Sequence, residues 1–428
     1  MSLKKELDEL LQSEVISEET AARIRRYYKE NPGTANRRLI VIFGILGALL
    51  SSMGVILIMA YNWVDLTIRT KTMIAFLPLL IAHLAGLYTL WRRRGDSEWQ
   101  EGSGVGIFMS MGACLLLISQ IYHFPGPASS LSLTWMLLIF PVAYILNSSV
   151  TSLLYIAGIT WYAGYISYFA TAEASPYLYG LLLLLILPYY GYLIRSRNND
   201  FTTILHHWVV PLSITIILGG FTQDQGMWMY IAYFSLFALF FITGQSSVFQ
   251  NCTKLQNGYQ MIGQTGSAIL LITLSFKWYW KNLPEKIQAT DHVFQAPEFW
   301  IAAVLTIAAS ILLMVLGRKH KAILNEPFAY VYLLFLLCFF TGLYSMYAFI
   351  LVNLIILLVG VWTIRKGNKN ADFAELNFGL LIFTVLIFSR FFDSNISFLL
   401  RGLTFIAVGG GFFFANYRMY RKKLEYEK

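Results

Sequence analysis

Apolar and polar positions along this chain fall in blocks: long uncharged runs are broken by short polar or basic segments. The first run, 39–60, reads LIVIFGILGALLSSMGVILIMA and lies between Arg37-Arg38 and Tyr61-Asn62-Trp63. At about 1.5 Å per residue it extends roughly 33 Å, enough to cross a hydrocarbon core of about 30 Å. Similar runs follow at 72–91, 103–122, 129–146, 150–171, 176–194, 208–222, 227–244, 258–276, 299–317, 327–343, 346–364, 376–392 and 395–417. The joins at 147–149 and 341–345 are tight. Merging their neighbours would give helices of about 65 Å and 57 Å, near twice the core thickness, so each is predicted to fold back. The pattern therefore predicts an all-α polytopic transmembrane helix bundle of about 14 spans over residues 38–417.

Residues 1–37 have a different pattern and read as a cytoplasmic helical hairpin leader. Leu3, Leu7, Leu10 and Leu11 recur at helical spacing. Ser17 stands as an N-cap before Glu18 and Glu19, where negative charge suits the helix dipole, and Asn31-Pro32-Gly33 stops the second helix. So short a hairpin buries little by itself. It either docks on a cytoplasmic protein partner through residues 1–30 or lies on the membrane surface through its Arg-rich second helix.

Charge changes this picture by giving it a direction. Basic residues cluster in the leader, in alternate connections (Arg92 to Arg94, Arg195, Arg197, Lys254, Arg318, Lys319, Lys321, Arg365, Lys366, Lys369) and in the tail 418–428. The other connections hold only Arg69, Lys71, Lys277, Lys281 and Lys286. Cationic loops stay on the cytoplasmic side, so both termini are expected inside. Trp63, Trp91, Trp208, Trp228, Trp278, Trp280, Trp300 and Trp362 fall near the ends of runs, where interfacial indoles belong.

Composition agrees: 57% of residues are hydrophobic and only 13% charged, against about 25% charged in soluble domains. The net charge of +9 is a topology signal in this context, and no nucleic-acid partner is expected. Cys114, Cys252 and Cys338 are isolated and imply neither a disulfide framework nor a thiolate metal site. Small residues at Gly47 and Ser51, Gly106 and Ser110, and Gly409 to Gly411 mark positions where helices are expected to approach closely.

Four stretches resemble a known family: LDELLQSEVISEETAARIRRYY in the leader, AYNWVDLTIRTK after the first run, ISQIYHFPGP, and the closing FFDSNISFLLRGLTFIAVGGGFFFANY. They are similar to a prokaryotic family of predicted multi-pass membrane proteins with a domain of unknown function. The likeness covers about the first 130 residues and the last 45, while the middle matches only in hydropathy. The resemblance implies a bacterial cytoplasmic (inner) membrane location, and implies no reaction.

Ionisable groups within apolar runs are the candidate chemistry, because they are costly in lipid and need partners. Arg390 and Asp393 are spaced i, i+3 near the end of one run, and Arg401 lies just inside the next. Two guanidinium groups against one carboxylate suit an anion or a lipid headgroup. The alternative is that the trio staples the last hairpin. Gln120, Tyr122 and His123, before the Pro125-Gly126-Pro127 turn, form a second polar set at the external end of the third run. The alternative there is an interfacial His and Gln satisfied by water. His83, Gln260, Gln264 and Asn353 lie deeper and serve either a path or helix-to-helix hydrogen bonds.

No pair has metal-ligand spacing, and no P-loop, HExxH or GxSxG motif occurs, so no metal, cofactor or standard hydrolase is expected. Three functional classes remain. The leading one is a transporter or flippase-like protein for a small anion or lipid-linked molecule, with membrane lipid as its partner. The others are a non-catalytic scaffold or sensor docking through the leader, and a membrane-embedded lipid transferase with His123 as base.

Overall fold

The computed structural model describes residues 11, 13, 15–30, 50, 63–169, 176–198, 200–222, 226–250, 252–281, 283, 293–393 and 398–426. Among the described residues the regular structure is entirely helical. The helices are α1 (Glu18–Glu30), α2 (Ile68–Arg92), α3 (Ser97–Ile121), α4 (Ala128–Ile145), α5 (Ser149–Tyr168), α6 (Leu178–Ser196) and α7 (Phe201–Leu218). They continue with α8 (Trp228–Gly244), α9 (Gly258–Leu274), α10 (Pro297–Lys319), α11 (Val331–Gly342), α12 (Ala348–Lys369), α13 (Phe373–Asp393) and α14 (Phe398–Tyr426). Every predicted run from 72 onward overlaps a helix among the described residues. The run 39–60 and the first half of the leader hairpin lie outside the described residues.

Eight of these helices are both long and apolar enough to cross a membrane: α2, α3, α4, α6, α7 with its 3-10 extension, α10, α12 and α13. The protein is therefore an integral membrane protein. α8 and α11 are apolar but shorter. α11 has 12 residues, about 18 Å of helix, which is well below the hydrocarbon thickness. The 3-10 turn Pro327–Ala329 takes the start of that predicted run.

Local chemistry sets the helix ends. Asp96 accepts from Glu98 N at 3.2 Å to start α3, and Asn257 accepts from Gln260 N at 3.1 Å to start α9. The tight join at 147–149 does fold back, with Asn147 in the left-handed region at φ 51. The new helix α5 is then capped twice. Ser148 accepts from Thr151 N, and Glu101 of α3 accepts from Ser149 N at 2.8 Å and Val150 N at 2.9 Å. A carboxylate across the positive end of a helix both pairs orphan N–H groups and complements the dipole.

Side chains pack into two apolar cores. One joins α3 to α7 through residues such as Ile107, Met136, Ile159, Leu182 and Ile186. The other is organised around α8, which is buried along nearly its whole length, as a helix apolar on all faces should be. Phe234 of α8 stacks on Phe335 of α11 with centroids 4.2 Å apart, and Ser235 bonds Thr306 of α10 at 2.8 Å. The outer faces are equally apolar: along α10, Trp300, Val304, Ile307, Ile311 and Met314 are exposed at helical spacing, as lipid-facing residues are.

Two expectations need correction. Trp228 and Trp280 are core residues, not interfacial anchors; the Trp280 indole N–H donates to Leu274 O at 2.7 Å. Among the small residues singled out, a Cβ on Gly106 would meet only Ala82, at 3.9 Å, and Gly409 to Gly411 face open space. Gly47 lies outside the described residues.

Candidate functional site

Arg390 lies in the last turn of α13 and is half-buried. Its Nη2 donates to Ser275 Oγ at 2.5 Å, and its guanidinium sits 4.7 Å from the Phe276 ring centroid. Ser275 is the C-cap of α9, and Asn353 of α12 donates to its carbonyl at 3.0 Å. Arg390 thus places a cation at the negative end of α9, an arrangement worth about 0.3–1 kcal/mol on its own. It joins α13 to α9. Asp393 closes α13 and Arg401 lies in the first turn of α14, but their side chains lie outside the described residues.

Gln120, Tyr122 and His123 are exposed at the end of α3. His123 has φ 52, and the Phe124 N–H reaches back to Ser119 O at 3.1 Å. That geometry terminates a helix, with His123 where glycine or asparagine is usual. His83 is exposed on α2 and bonds Leu79 O of its own helix at 2.8 Å. Gln260 meets Asn257 at 3.3 Å.

Sequence reading missed two polar layers between α5, α6 and α7. In the first, His206 Nε2 meets Ser152 Oγ at 3.0 Å and His207 Nδ1 meets the Tyr190 hydroxyl at 2.6 Å. The second lies seven residues further along α7, about 10 Å away along the helix axis. There Ser213 Oγ meets Thr160 Oγ1 at 2.5 Å and the Tyr179 hydroxyl at 2.6 Å. The spacing of seven keeps His206 and Ser213 on one face of α7, which packs against α5 and α6. Apolar Val210 and Ile186 lie between the two layers in sequence and are fully buried.

Over the second layer, between α5 and α7, opens a groove of about 490 Å³. Ala157, Trp161, Gly164, Tyr165, Phe169, Leu212 and Ile216 line it, with Thr160 and Ser213 as its polar members. Trp161 and Phe169 are 69% and 75% exposed, so the groove opens laterally onto the apolar outer surface. This is a slot for an apolar chain; at its inner end Thr160 also donates to Ile156 O at 2.6 Å.

A second missed constellation is ionic. Lys254 Nζ lies 2.6 Å from Asp372 Oδ2 and 2.5 Å from Glu375 Oε2, and Lys366 Nζ lies 2.6 Å from Glu326 Oε1 and 2.9 Å from Glu375 Oε1. Connections 245–257, 320–330 and 370–372, which loop charge assigns to one side, therefore meet at one end of the bundle. Burial pushes the Asp372 carboxyl up, but the hydrogen bond and charge of Lys254, with the N–H groups of Glu375 and Ala374, more than offset it and hold it below its usual value. A depressed folded-state value stabilises the fold above the unfolded carboxyl value, about 3.9, and that stabilisation is lost as pH falls through the lower folded value. Acid titration of the melting temperature should accordingly be shallower for Asp372→Asn than for wild type. Identical acid limbs would remove Asp372 from the account.

Among the described residues no group of three or more metal-ligating side chains is gathered. Residues 8–152 match the family described as Predicted membrane protein (DUF2157). The match takes in three of the four stretches that carried the resemblance and stops short of the closing one. No curated protein and no solved structure matches the chain.

Proposed function

We propose that this protein takes a lipid or lipid-linked molecule out of the bilayer and moves it, in the manner of a transporter or flippase, in a bacterial inner membrane with both termini cytoplasmic. The lateral groove between α5 and α7 carries the reading. It is apolar, reaches the outer surface of the helices, and ends on the Thr160 and Ser213 hydroxyls. An aqueous solute would meet no matching polar lining there, whereas an acyl or isoprenoid chain would lose nothing by leaving the lipid tails. A headgroup contact at the junction of α13 and α14 would fall to Arg390 and Arg401, with Asp393 beside them.

Gly164 tests this. A Cβ there would meet only the Ile217 side chain at 3.8 Å, so a larger residue grows into the groove without displacing a helix. The full-length protein in vesicles doped with a phospholipid carrying a photoactivatable acyl chain should crosslink within 157–169 and 209–216. Gly164→Leu should cut that crosslinking about fivefold, corresponding to roughly 1 kcal/mol of lost contact, and leave the melting temperature unchanged or raised, since leucine is the better helix former. Equal crosslinking of the two proteins would exclude the groove as the lipid site.

A further inference from the structure

His206 and His207 are fully buried on α7, inside a segment long and apolar enough to cross the membrane. Tyr190 of α6 lies between them. Its ring stacks on His206 with centroids 5.6 Å apart and planes 13° apart, while its hydroxyl meets His207 Nδ1 at 2.6 Å. The ring of Phe249 stands edge-on to His207 at 4.9 Å, and the Tyr259 hydroxyl of α9 lies beside that of Tyr190. His207 Nε2 is buried and has no hydrogen-bond partner among the described residues.

The geometry points to a proton-binding site in which His206, Tyr190 and His207 hold a single exchangeable proton. This stands apart from the lipid reading of the groove. A purely structural histidine places both ring nitrogens in hydrogen bonds, because an unsatisfied buried polar atom is costly. His206 does so, through Thr202 O at 2.7 Å and Ser152 Oγ. His207 does not: with Nδ1 accepting from Tyr190, its Nε2–H has no partner among the described residues. Two adjacent imidazolium ions would repel each other strongly at this depth, so the pair takes one proton and not two. The other titratable groups facing the pair are Tyr190, Tyr259 and Cys252, and among the described residues no carboxylate or ammonium group joins them.

Protonation has a structural consequence. Neutral His207 can accept the Tyr190 O–H at Nδ1. The imidazolium can only donate, so Tyr190 must accept from it and turn its own O–H toward Tyr259. Proton uptake on α7 thus re-aims a hydrogen bond onto the first turns of α9. Phe249, against the His207 ring, and Cys252, beside Tyr190, lie at that end of the layer, and protons would enter past them.

The test is magic-angle-spinning NMR of the full-length protein in phospholipid nanodiscs, with 15N-histidine and 13Cζ-tyrosine, from about pH 4 to about pH 9, a span that brackets the range in which histidine changes charge. His206→Gln, His207→Gln and Tyr190→Phe assign the signals. The expected result is one proton taken up by the His206 and His207 pair, with the Tyr190 13Cζ signal moving at the same midpoint. Tyr190→Phe, which keeps the ring and removes only the hydroxyl, should displace that midpoint. The proposal fails if both histidines keep constant shifts across that range, if two protons bind independently, if they charge only as the protein unfolds, or if Tyr190→Phe leaves the midpoint where it was.

Discussion

Lys366→Met lowers the melting temperature of the detergent-solubilised protein by several degrees, the larger of the losses expected from the two lysines of the ionic network. Lys366 Nζ serves Glu326 at 2.6 Å and Glu375 at 2.9 Å, and those carboxylate side chains are only 11% and 8% exposed. Removing one partner of a buried ion pair leaves an uncompensated charge and costs about 3–5 kcal/mol. Glu375 keeps Lys254 at 2.5 Å, so Glu326 is the carboxylate left stranded, and a cost near the lower figure, about 3 kcal/mol, is expected. Lys254→Met should be milder, because Asp372 is 30% exposed and can turn to water. The double variant Lys366→Met, Glu326→Gln should recover most of the loss, since it removes the stranded charge along with its partner. If Lys366→Met melts with wild type, the network is not holding these connections together.

How far these features were legible in sequence depends on whether their partners were local. The spans were legible because lipid leaves no alternative: an uncharged run of about 20 residues at membrane depth must be helical to satisfy its own backbone. The caps at Asp96, Ser148 and Asn257 depend on neighbours within a few residues. The ionic network has no such mark. Lys254, Glu326, Lys366, Asp372 and Glu375 are scattered over three connections and two helices, and counting the lysines only as topology signals hid the carboxylates that answer them.

His206 and His207 were missed for another reason. Hydropathy starts the apolar run at Trp208 and leaves both histidines in a polar connection, yet α7 begins at Phe201 after Asp200 and draws them into the bundle. Adjacent histidines within one turn of an apolar run were the available signal. Arg390 bonds Ser275 of the α9 C-cap, 115 residues away, and no sequence spacing could name that residue.

Close helix packing shows the same limit and gives the second large effect. Gly263→Ala should destabilise the protein by about 1–3 kcal/mol, with Gly263→Val worse, because overpacking forces backbone to move. A Cβ at Gly263 would lie 2.5 Å from Phe237 O and 2.6 Å from Phe241 N, both backbone atoms of α8, so α8 and α9 would have to separate. The helices meet here without an intervening side chain, and α8 is the centre of the larger core. Gly266→Ala, one turn on, should cost less, since its Cβ meets the Phe237 ring, which can rotate away. Gly106→Ala supplies the opposite sign. Its Cβ meets only Ala82 at 3.9 Å, so the gain in helix propensity, up to about 1 kcal/mol, goes unopposed. The order expected in melting temperature is Gly106→Ala at or above wild type, then Gly266→Ala, then Gly263→Ala, then Gly263→Val. A Gly263→Ala protein as stable as wild type would mean that α8 and α9 do not approach as closely as the structure places them.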